Sequence, residues 1–197
     1  MLVDLLRHGE TETPGRLLGR SDPALSALGW QQVERQVAGR QWDLIVASPR
    51  QRSLAPAARI AEAQGLVPRI DESWAEMDFG AWDGRLLAEL AADAATSSAF
   101  AALYADPNAP SPPEGESWAG LTQRIGGALE KLQCEPAERV LVLTHGGPMR
   151  AALHLACGLP FAALWALRIE PGTRMTLRLG KSDPHGLWGE MLELVQP

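Results

Sequence analysis

The sequence is poor in cysteine and has no long apolar run. Its two cysteines, Cys134 and Cys157, form neither a C-x-x-C pair nor a metal-ligand cluster with nearby histidines. No stretch is long and apolar enough to span a membrane. The segment after Met1 is too short and too polar for a signal peptide, because Asp4 and Arg7 interrupt it. These features predict a reduced, cytoplasmic setting and no membrane partner.

Basic residues are also in the minority, since 18 Lys and Arg stand against 24 Asp and Glu and give a formal net charge of −6. Such a surface repels polyanions, so nucleic acid is not an expected partner. Any site for a phosphate group must then be a local basic pocket. With 197 residues and 46% hydrophobic content, the chain can bury the core of one compact domain and falls short of two.

Short apolar runs alternate with amphipathic helical segments along most of the chain. Ser26 can cap the first helix, in which Trp30, Val33 and Val37 fall on one face. Strands that alternate with helices in this way predict an α/β fold with a parallel sheet and right-handed crossovers. The predicted buried strands cover residues 2–6, 43–48, 67–70 and 139–144.

Two regions depart from this alternation. Residues 85–117 combine an Ala- and Leu-rich stretch, predicted to be helical over 86–103, with four prolines between positions 106 and 116. We predict that they form an insertion or lid. Near the C-terminus, a turn at Pro171-Gly172 and another at 182–186 separate strand-like segments, which predicts a β-meander at the edge of the sheet.

Two predicted strands are each followed by a histidine and a glycine, which places His8 and His145 at strand ends. Open α/β sheets bind ligands at the carboxyl ends of their strands, so both rings are expected in one site. A neutral imidazole is a nucleophile and an imidazolium stabilises negative charge, so one ring could serve in each role. His154, within a predicted helix, and His185, in a predicted turn, adjoin no motif and are assigned to structure.

Arginines are the expected partners of these histidines. Phosphoryl transfer depends on positioning and charge neutralisation, for which the guanidinium group offers planar, two-pronged donors. Arg7 ends the first strand, and Arg52 lies near the start of the helix after the second strand, where helix amide groups also favour an anion. Both side chains can converge on one phosphate group.

One carboxyl group can protonate a leaving alkoxide and later act as the base for water. Glu76 is the candidate, because it lies in a segment, 74–84, that is rich in aromatic residues. Asp78 and Asp83 lie nearby, and spacing alone does not choose among the three.

These residues fall in motifs that resemble a known family. Residues 6–11, Leu-Arg-His-Gly-Glu-Thr, are similar to the R-H-G-E-T signature of the histidine phosphatase superfamily, which includes phosphoglycerate mutases. Four further segments match in the right order: residues 19–29 (its post-motif loop), 48–52 (S-P-x-x-R), 76–84 (E-x-x-F-G-x-W-E-G) and 145–150 (H-G-G-x-x-R). The resemblance covers nearly the whole chain. It implies a single histidine phosphatase domain over 1–197, built as a three-layer α/β/α sandwich with a mostly parallel central sheet.

The resemblance also implies roles for the matched residues. His8 would be the phosphorylated nucleophile, and Glu76 the acid and base. The other matched positions would hold the substrate: Arg7, Arg52 and His145 its phosphoryl group, and Thr11, Arg20 and Gly146 further contacts. A phosphatase of this kind would act on a small-molecule phosphate ester through a phosphohistidine, without a metal or other cofactor.

Within the superfamily, residues 113–117 and 164–170 look most like α-ribazole phosphatases, which act late in assembly of the cobalamin nucleotide loop. For that substrate, we hypothesise that Trp82 or Trp118 packs on the benzimidazole ring. The family often has Asn six residues after the nucleophile, where this chain has Pro14, and this departure puts the phosphate contact at that position in doubt. A phosphoglycerate mutase, a broad-specificity phosphatase and a non-catalytic phospholigand-binding module are the alternatives, and the oligomeric state is left open.

Overall fold

The computed structural model describes residues 1–182 and 186–197. The turn predicted over 182–186 therefore lies largely outside the described residues, and His185 lies wholly outside them. The described strands form one sheet in the order β3-β2-β4-β1-β5-β6. They are β1 (Leu2–Arg7), β2 (Leu44–Ala47), β3 (Arg69–Ile70), β4 (Arg139–Thr144), β5 (Arg174–Ser182) and β6 (Gly186–Val195).

The sheet is mostly parallel, as the alternation of strands and helices predicts. β4 pairs in parallel with both β1 and β2, and β2 pairs in parallel with β3. β5 and β6 are antiparallel and complete one edge of the sheet, where the sequence predicts a β-meander.

Helices cover both faces of the sheet, which gives the expected three layers. Leu141 and Leu143 of β4 pack on one face with α1 (Ala27–Val37) and α2 (Gln51–Ala63). The alternate residues Val140 and Val142 pack on the other face. That face is covered by α5 (Trp118–Gln133) and α6 (Gly146–Cys157), with α3 (Leu87–Ala92), α4 (Ser97–Ala105) and α7 (Phe161–Leu164) beside them.

Local capping explains where some helices begin and end. The Ser26 side chain accepts a hydrogen bond from the Gly29 amide, so the predicted cap of α1 is confirmed. The single helix predicted over 86–103 is wrong, because α3 and α4 are separated by a turn. Asp93 follows α3, and its carboxylate accepts a hydrogen bond from the Ala95 amide at 2.9 Å, which favours a turn over a continued helix.

The Pro-rich segment is fixed on the turn that follows Glu76. The Ala81 amide donates to the Pro113 carbonyl at 2.8 Å, and the Glu116 amide donates to the Asp78 carbonyl at 2.8 Å. Gly80 has φ +52°, and a Cβ there would overlap the Pro113 carbonyl, so this close approach requires glycine. Across the described residues, no helix is both long and apolar enough to cross a membrane.

Candidate active site

The register of two parallel strands brings the two strand-end histidines together. Arg7 of β1 is paired with Thr144 of β4, so the next residues, His8 and His145, emerge side by side. The His8 amide donates to the Thr144 carbonyl at 3.0 Å, and the two imidazole centroids are 5.1 Å apart. Both side chains are buried, which makes this pair the centre of the candidate site.

The proton of the His8 ring is fixed by its own neighbour. Nδ1 lies 2.7 Å from the Gly9 carbonyl, which can only accept, so Nδ1 carries the hydrogen and Nε2 keeps its lone pair. Burial, followed by the positive charges of Arg7 and Arg52, holds the pKa of His8 well below its ordinary value. The ring is therefore a neutral imidazole with a nucleophilic nitrogen at neutral pH.

The His145 ring is held by Ser48, a residue at the end of another strand. Ser48 follows β2, and its Oγ lies 2.7 Å from Nε2 of His145. When the hydroxyl donates to Nε2, the ring proton is on Nδ1, which is buried and has no partner among the described residues. Burial and the charge of Arg52 hold the pKa of His145 well below its ordinary value. In that tautomer, Nδ1–H is a free donor close to His8.

The two neutral histidines predict a pH dependence of stability. Their pKa values are lowered in the folded protein, so below the ordinary histidine value of 6.5 the unfolded chain binds more protons than the folded one. The free energy of unfolding should fall as the pH drops below that value, with a slope of roughly 1.4 kcal/mol per pH unit for each histidine. Urea unfolding at pH 7.5 and 5.5 measures this loss. In the double variant His8→Gln/His145→Gln the slope should be shallower, and an unchanged slope would contradict the assignment.

Two arginines, the half-buried Arg7 and the buried Arg52, flank the histidines. Arg7 Nη1 donates to the Ile169 carbonyl at 2.7 Å, and Arg52 is held by carbonyls of the loop before α1, including that of Ser21 at 2.7 Å, and by an ion pair with Asp22 at 3.2 Å. These contacts fix both guanidinium groups, yet each Nε is buried without a partner among the described residues. Buried donors without partners are rare in folded proteins, and an anion bound between the two guanidinium groups would satisfy both.

The carboxylate of Glu76 is held by the first turn of α6. Its oxygens accept hydrogen bonds from the Gly147 amide at 3.1 and 3.3 Å and from its neighbour, the Met77 amide, at 2.9 Å. Asp78 instead pairs with Arg20, and Asp83 accepts the Gly19 amide at 2.7 Å. Of the three candidate carboxylates, Glu76 is the one that lines the central cavity in the described structure.

Arg124 of α5 anchors the segment that carries this carboxylate. Its Nη1 donates to the carbonyls of Ser73 and Ala75 at 2.7 and 2.8 Å, and its Nη2 donates to the Glu76 carbonyl at 3.2 Å. Glu116 binds the same guanidinium through two contacts of 2.8 Å. Arg124 is therefore a positioning residue for Glu76.

If Glu76 transfers protons, loss of this anchor should slow catalysis more than it weakens binding. Replacing Arg124 with Met, together with Glu116→Gln to avoid an unpaired carboxylate, should lower kcat by about 10-fold because Glu76, the candidate proton-transfer group, is misplaced. KM should change less, and Arg124→Lys should restore part of the rate. Steady-state kinetics, with urea unfolding as the check on folding, measure this. A less stable variant with an unchanged kcat would show that Arg124 supports the fold alone.

A cavity of about 220 Å³ opens beside His8, Arg7 and Glu76. The predicted insertion supplies part of its wall through Leu87 of α3 and Tyr104 of α4. Most of the remaining wall is apolar, so an apolar part of a ligand could pack against it. In the described residues, no group of three or more His, Cys, Asp or Glu side chains is placed to hold a metal ion.

The structure does not bring all of the predicted substrate contacts to this cavity. Gly146 lies in the wall, whereas Thr11 is buried in a β-bridge with Leu25. Arg20 is exposed and lines an adjoining groove, which also reaches Glu76. Pro14 is exposed and outside the cavity wall, and the same loop contributes Arg16 to the wall instead.

Of the two tryptophans that were candidates for packing on a benzimidazole ring, one lines the cavity and the other does not. Trp118 lines the cavity, whereas Trp82 is buried in the core against Phe100, with ring centroids 6.0 Å apart. Trp118 also contacts Phe161 edge-on at 5.0 Å between centroids, which fixes the angle of its ring.

Three further residues line the cavity although the sequence motifs predict no role for them: Tyr104, Arg150 and Trp165. Arg150 ends the H-G-G-x-x-R segment and lies one helical turn after Gly146, so its helical position could have indicated that it shares the face of α6 that meets the site. Tyr104 lies on α4 and Trp165 at the end of α7, and no local sequence pattern predicts their contact with the site.

The fold and the cavity together define an α/β protein with a cationic pocket at the carboxyl ends of its parallel strands. The sequence profile of the histidine phosphatase superfamily, branch 1, matches residues 3–187. The chain belongs to this superfamily.

Similar proteins have several activities. A bifunctional protein of Mycobacterium tuberculosis is 31% identical over 173 residues, and this chain spans about half of its length, with 84% of the chain and 47% of that protein aligned. Phosphoserine phosphatase 1 of Hydrogenobacter thermophilus is 30% identical, with 82% and 79% aligned. Adenosylcobalamin/α-ribazole phosphatase of Escherichia coli is 26% identical, with 87% of each aligned. The structure of mycobacterial glucosyl-3-phosphoglycerate phosphatase superposes with a TM-score of 0.81 at 29% identity, covering 96% of both chains.

Proposed function

We propose that this protein hydrolyses a small-molecule phosphate monoester through a phosphohistidine at His8. The observation that carries the proposal is the fixed tautomer of His8, whose Nδ1 donates to the Gly9 carbonyl and leaves Nε2 unprotonated in the cavity wall. A neutral, held imidazole beside cationic donors suits nucleophilic attack on phosphorus.

In the first step, Nε2 of His8 attacks the phosphorus and the bond to the ester oxygen breaks. Arg7, Arg52 and the Nδ1–H of His145 hold the phosphoryl oxygens, since each has a buried nitrogen without a partner among the described residues. The departing oxygen takes a proton from Glu76, which the Gly147 amide holds at the edge of the same cavity.

In the second step, water attacks the phosphorus of the phosphohistidine. Glu76, now a carboxylate, takes a proton from this water, the bond between phosphorus and Nε2 breaks, and inorganic phosphate leaves. The second step thus returns the proton that the first step used, so one carboxyl group serves both.

Product analysis tests the proposal. With p-nitrophenyl phosphate and 3-phosphoglycerate as substrates in a chelating buffer, we expect net release of inorganic phosphate. Interconversion of phosphoglycerates without net release would favour a mutase, and tight phosphate binding without turnover of any ester would favour a binding module.

The narrower candidate is α-ribazole 5′-phosphate. It is supported by the similarity to an α-ribazole phosphatase at 26% identity and by Trp118 in the wall of the cavity, where a flat heterocycle could stack. Release of phosphate from this ester with a higher kcat/KM than from other esters would establish it.

A further inference from the structure

Three side chains form one wall of the cavity, which we call the Trp165 wall: Arg150, Tyr104 and Trp165. The Arg150 Cζ lies 4.5 Å from the centroid of the Trp165 ring. Tyr104 meets the same ring edge-on, with centroids 4.8 Å apart. Trp165 therefore holds a guanidinium and a phenol side by side, both facing the cavity.

Arg150 lacks an acidic partner within the part of the chain that the structure describes. Its Nη1 and Nη2 make long hydrogen bonds of 3.3 and 3.4 Å to the carbonyls of Gly146 and Leu167, and its buried Nε has no partner there. Burial, followed by the charge of Arg7, lowers the pKa of Arg150 to about 10. The Glu76 carboxylate is near enough to raise this pKa, but it makes no ion pair with Arg150. A guanidinium in such surroundings is stabilised by an anion in direct contact.

The guanidinium lies next to the phosphoryl-binding arginine. A Cβ built on Gly146 would lie 3.2 Å from Nη1 of Arg150 and 3.7 Å from Cζ of Arg7. Both cations thus border one point at the start of α6. A single small molecule can reach both, with its phosphoryl group on Arg7 and a second group on Arg150.

The positive charges around the cavity also favour a ligand that carries a second negative group besides its phosphate. Arg7, Arg16 and Arg150 line the cavity with Glu76 as its carboxylate. When Glu76 carries the proton that it must donate, three positive charges face the ligand. Arg52 is already paired with Asp22 at 3.2 Å. A phosphate dianion therefore balances two of the three wall charges, and the half-buried Arg150, which has no ion pair among the described residues, is left for a second anion.

We propose that the Trp165 wall binds a carboxylate on the alcohol side of the ester, so that the preferred substrates are phosphate monoesters of small hydroxy acids. Arg150 supplies charge-assisted hydrogen bonds, and the Tyr104 hydroxyl lies on the same wall as a further donor. This inference rests on the proposed phosphatase function and narrows its substrate class. α-Ribazole is a neutral alcohol without a carboxylate. A preference for its phosphate ester is therefore the alternative to this inference.

The test uses two esters that differ only in this group. 3-Phosphoglycerate carries a carboxylate where glycerol 3-phosphate carries a hydroxymethyl group, and kcat/KM is measured for both with released phosphate as the readout. Wild type should prefer the acid by about 10-fold or more, the value of one charge-assisted hydrogen bond. Arg150→Met should reduce this preference about 10-fold, and Arg150→Lys should keep part of it.

Arg59→Met is the matched control, because Arg59 also stacks on a tryptophan, Trp30, at 5.5 Å, but lies outside the cavity. It should keep the wild-type preference. Equal kcat/KM for the two esters in wild type, an equal loss for both in Arg150→Met, or a higher kcat/KM for α-ribazole 5′-phosphate would each overturn the inference. Hydrolysis of p-nitrophenyl phosphate is measured as well. If the proposed function is wrong, no ester releases phosphate, whereas if only this inference is wrong, p-nitrophenyl phosphate is still hydrolysed.

Discussion

His8→Ala is expected to lower the proposed phosphatase activity by roughly 10⁴-fold or more, because the variant lacks the atom that would bond to phosphorus. The His8 ring is buried, makes its hydrogen bond to the adjacent Gly9 carbonyl and contacts His145, so the substitution leaves the packing of the sheet intact. Release of phosphate from p-nitrophenyl phosphate measures the loss. Circular dichroism and urea unfolding show whether the variant is folded.

A trapping experiment separates the role of His8 from a role in binding alone. Wild type quenched in alkali during turnover should retain phosphate in an acid-labile bond, as expected of phosphohistidine, and His8→Ala should retain none. His154→Ala is the matched control, since His154 lies on α6 with its Nδ1 donating to the Leu159 carbonyl at 2.7 Å. If His8→Ala kept the wild-type rate, the nucleophile would have to be assigned elsewhere.

Gly147→Ala should cost about 100-fold in kcat while the protein stays folded. Gly147 lies in the first turn of α6, and a Cβ at this position would overlap the Glu76 carboxylate that the Gly147 amide holds. The carboxylate must then move away from the leaving oxygen, and the contribution of a positioned acid is about 100-fold or more. Alanine favours a helix over glycine, so backbone preference does not oppose the change.

Gly127→Ala provides the comparison for this variant. Gly127 lies within α5, and a Cβ there would meet no atom within 4 Å. Its activity should equal that of wild type, and its free energy of unfolding should rise by about 0.5–1 kcal/mol. Similar kcat values for Gly147→Ala and Gly127→Ala would show that Glu76 does not need its observed position.

Much of the site can be predicted because its residues are tied to local patterns. The apolar run that precedes Arg7 and His8 predicts a strand that ends there, and β1 ends at Arg7. The run before His145 predicts a second strand end, and β4 ends at Thr144. Since parallel strands present their carboxyl ends at one edge of a sheet, two such patterns suffice to place both histidines in one region.

Other features could not be predicted because they depend on contacts between distant segments. The break between α3 and α4 depends on a turn at Asp93 in a stretch whose composition favours a helix. The position of the Glu76 carboxylate beside the cavity depends on the Gly147 amide at the start of α6, which lies 71 residues further along the chain. The hydrogen bond between Ser48 and His145 joins two strand ends that are neighbours only because β2 pairs with β4.

The sequence by itself determined the family, the α/β class, His8, His145 and Arg7 at the strand ends, and Arg52 at the start of α2. Short motifs and hydrophobic periodicity are local properties of the chain. Only the tertiary structure decided which carboxylate faces the cavity, how the His8 ring proton is held and which side chains form the Trp165 wall. These features depend on strand register and on the packing of α4, α6 and α7 around one cavity. No local pattern encodes them, because their free energy comes from contacts between residues far apart in sequence.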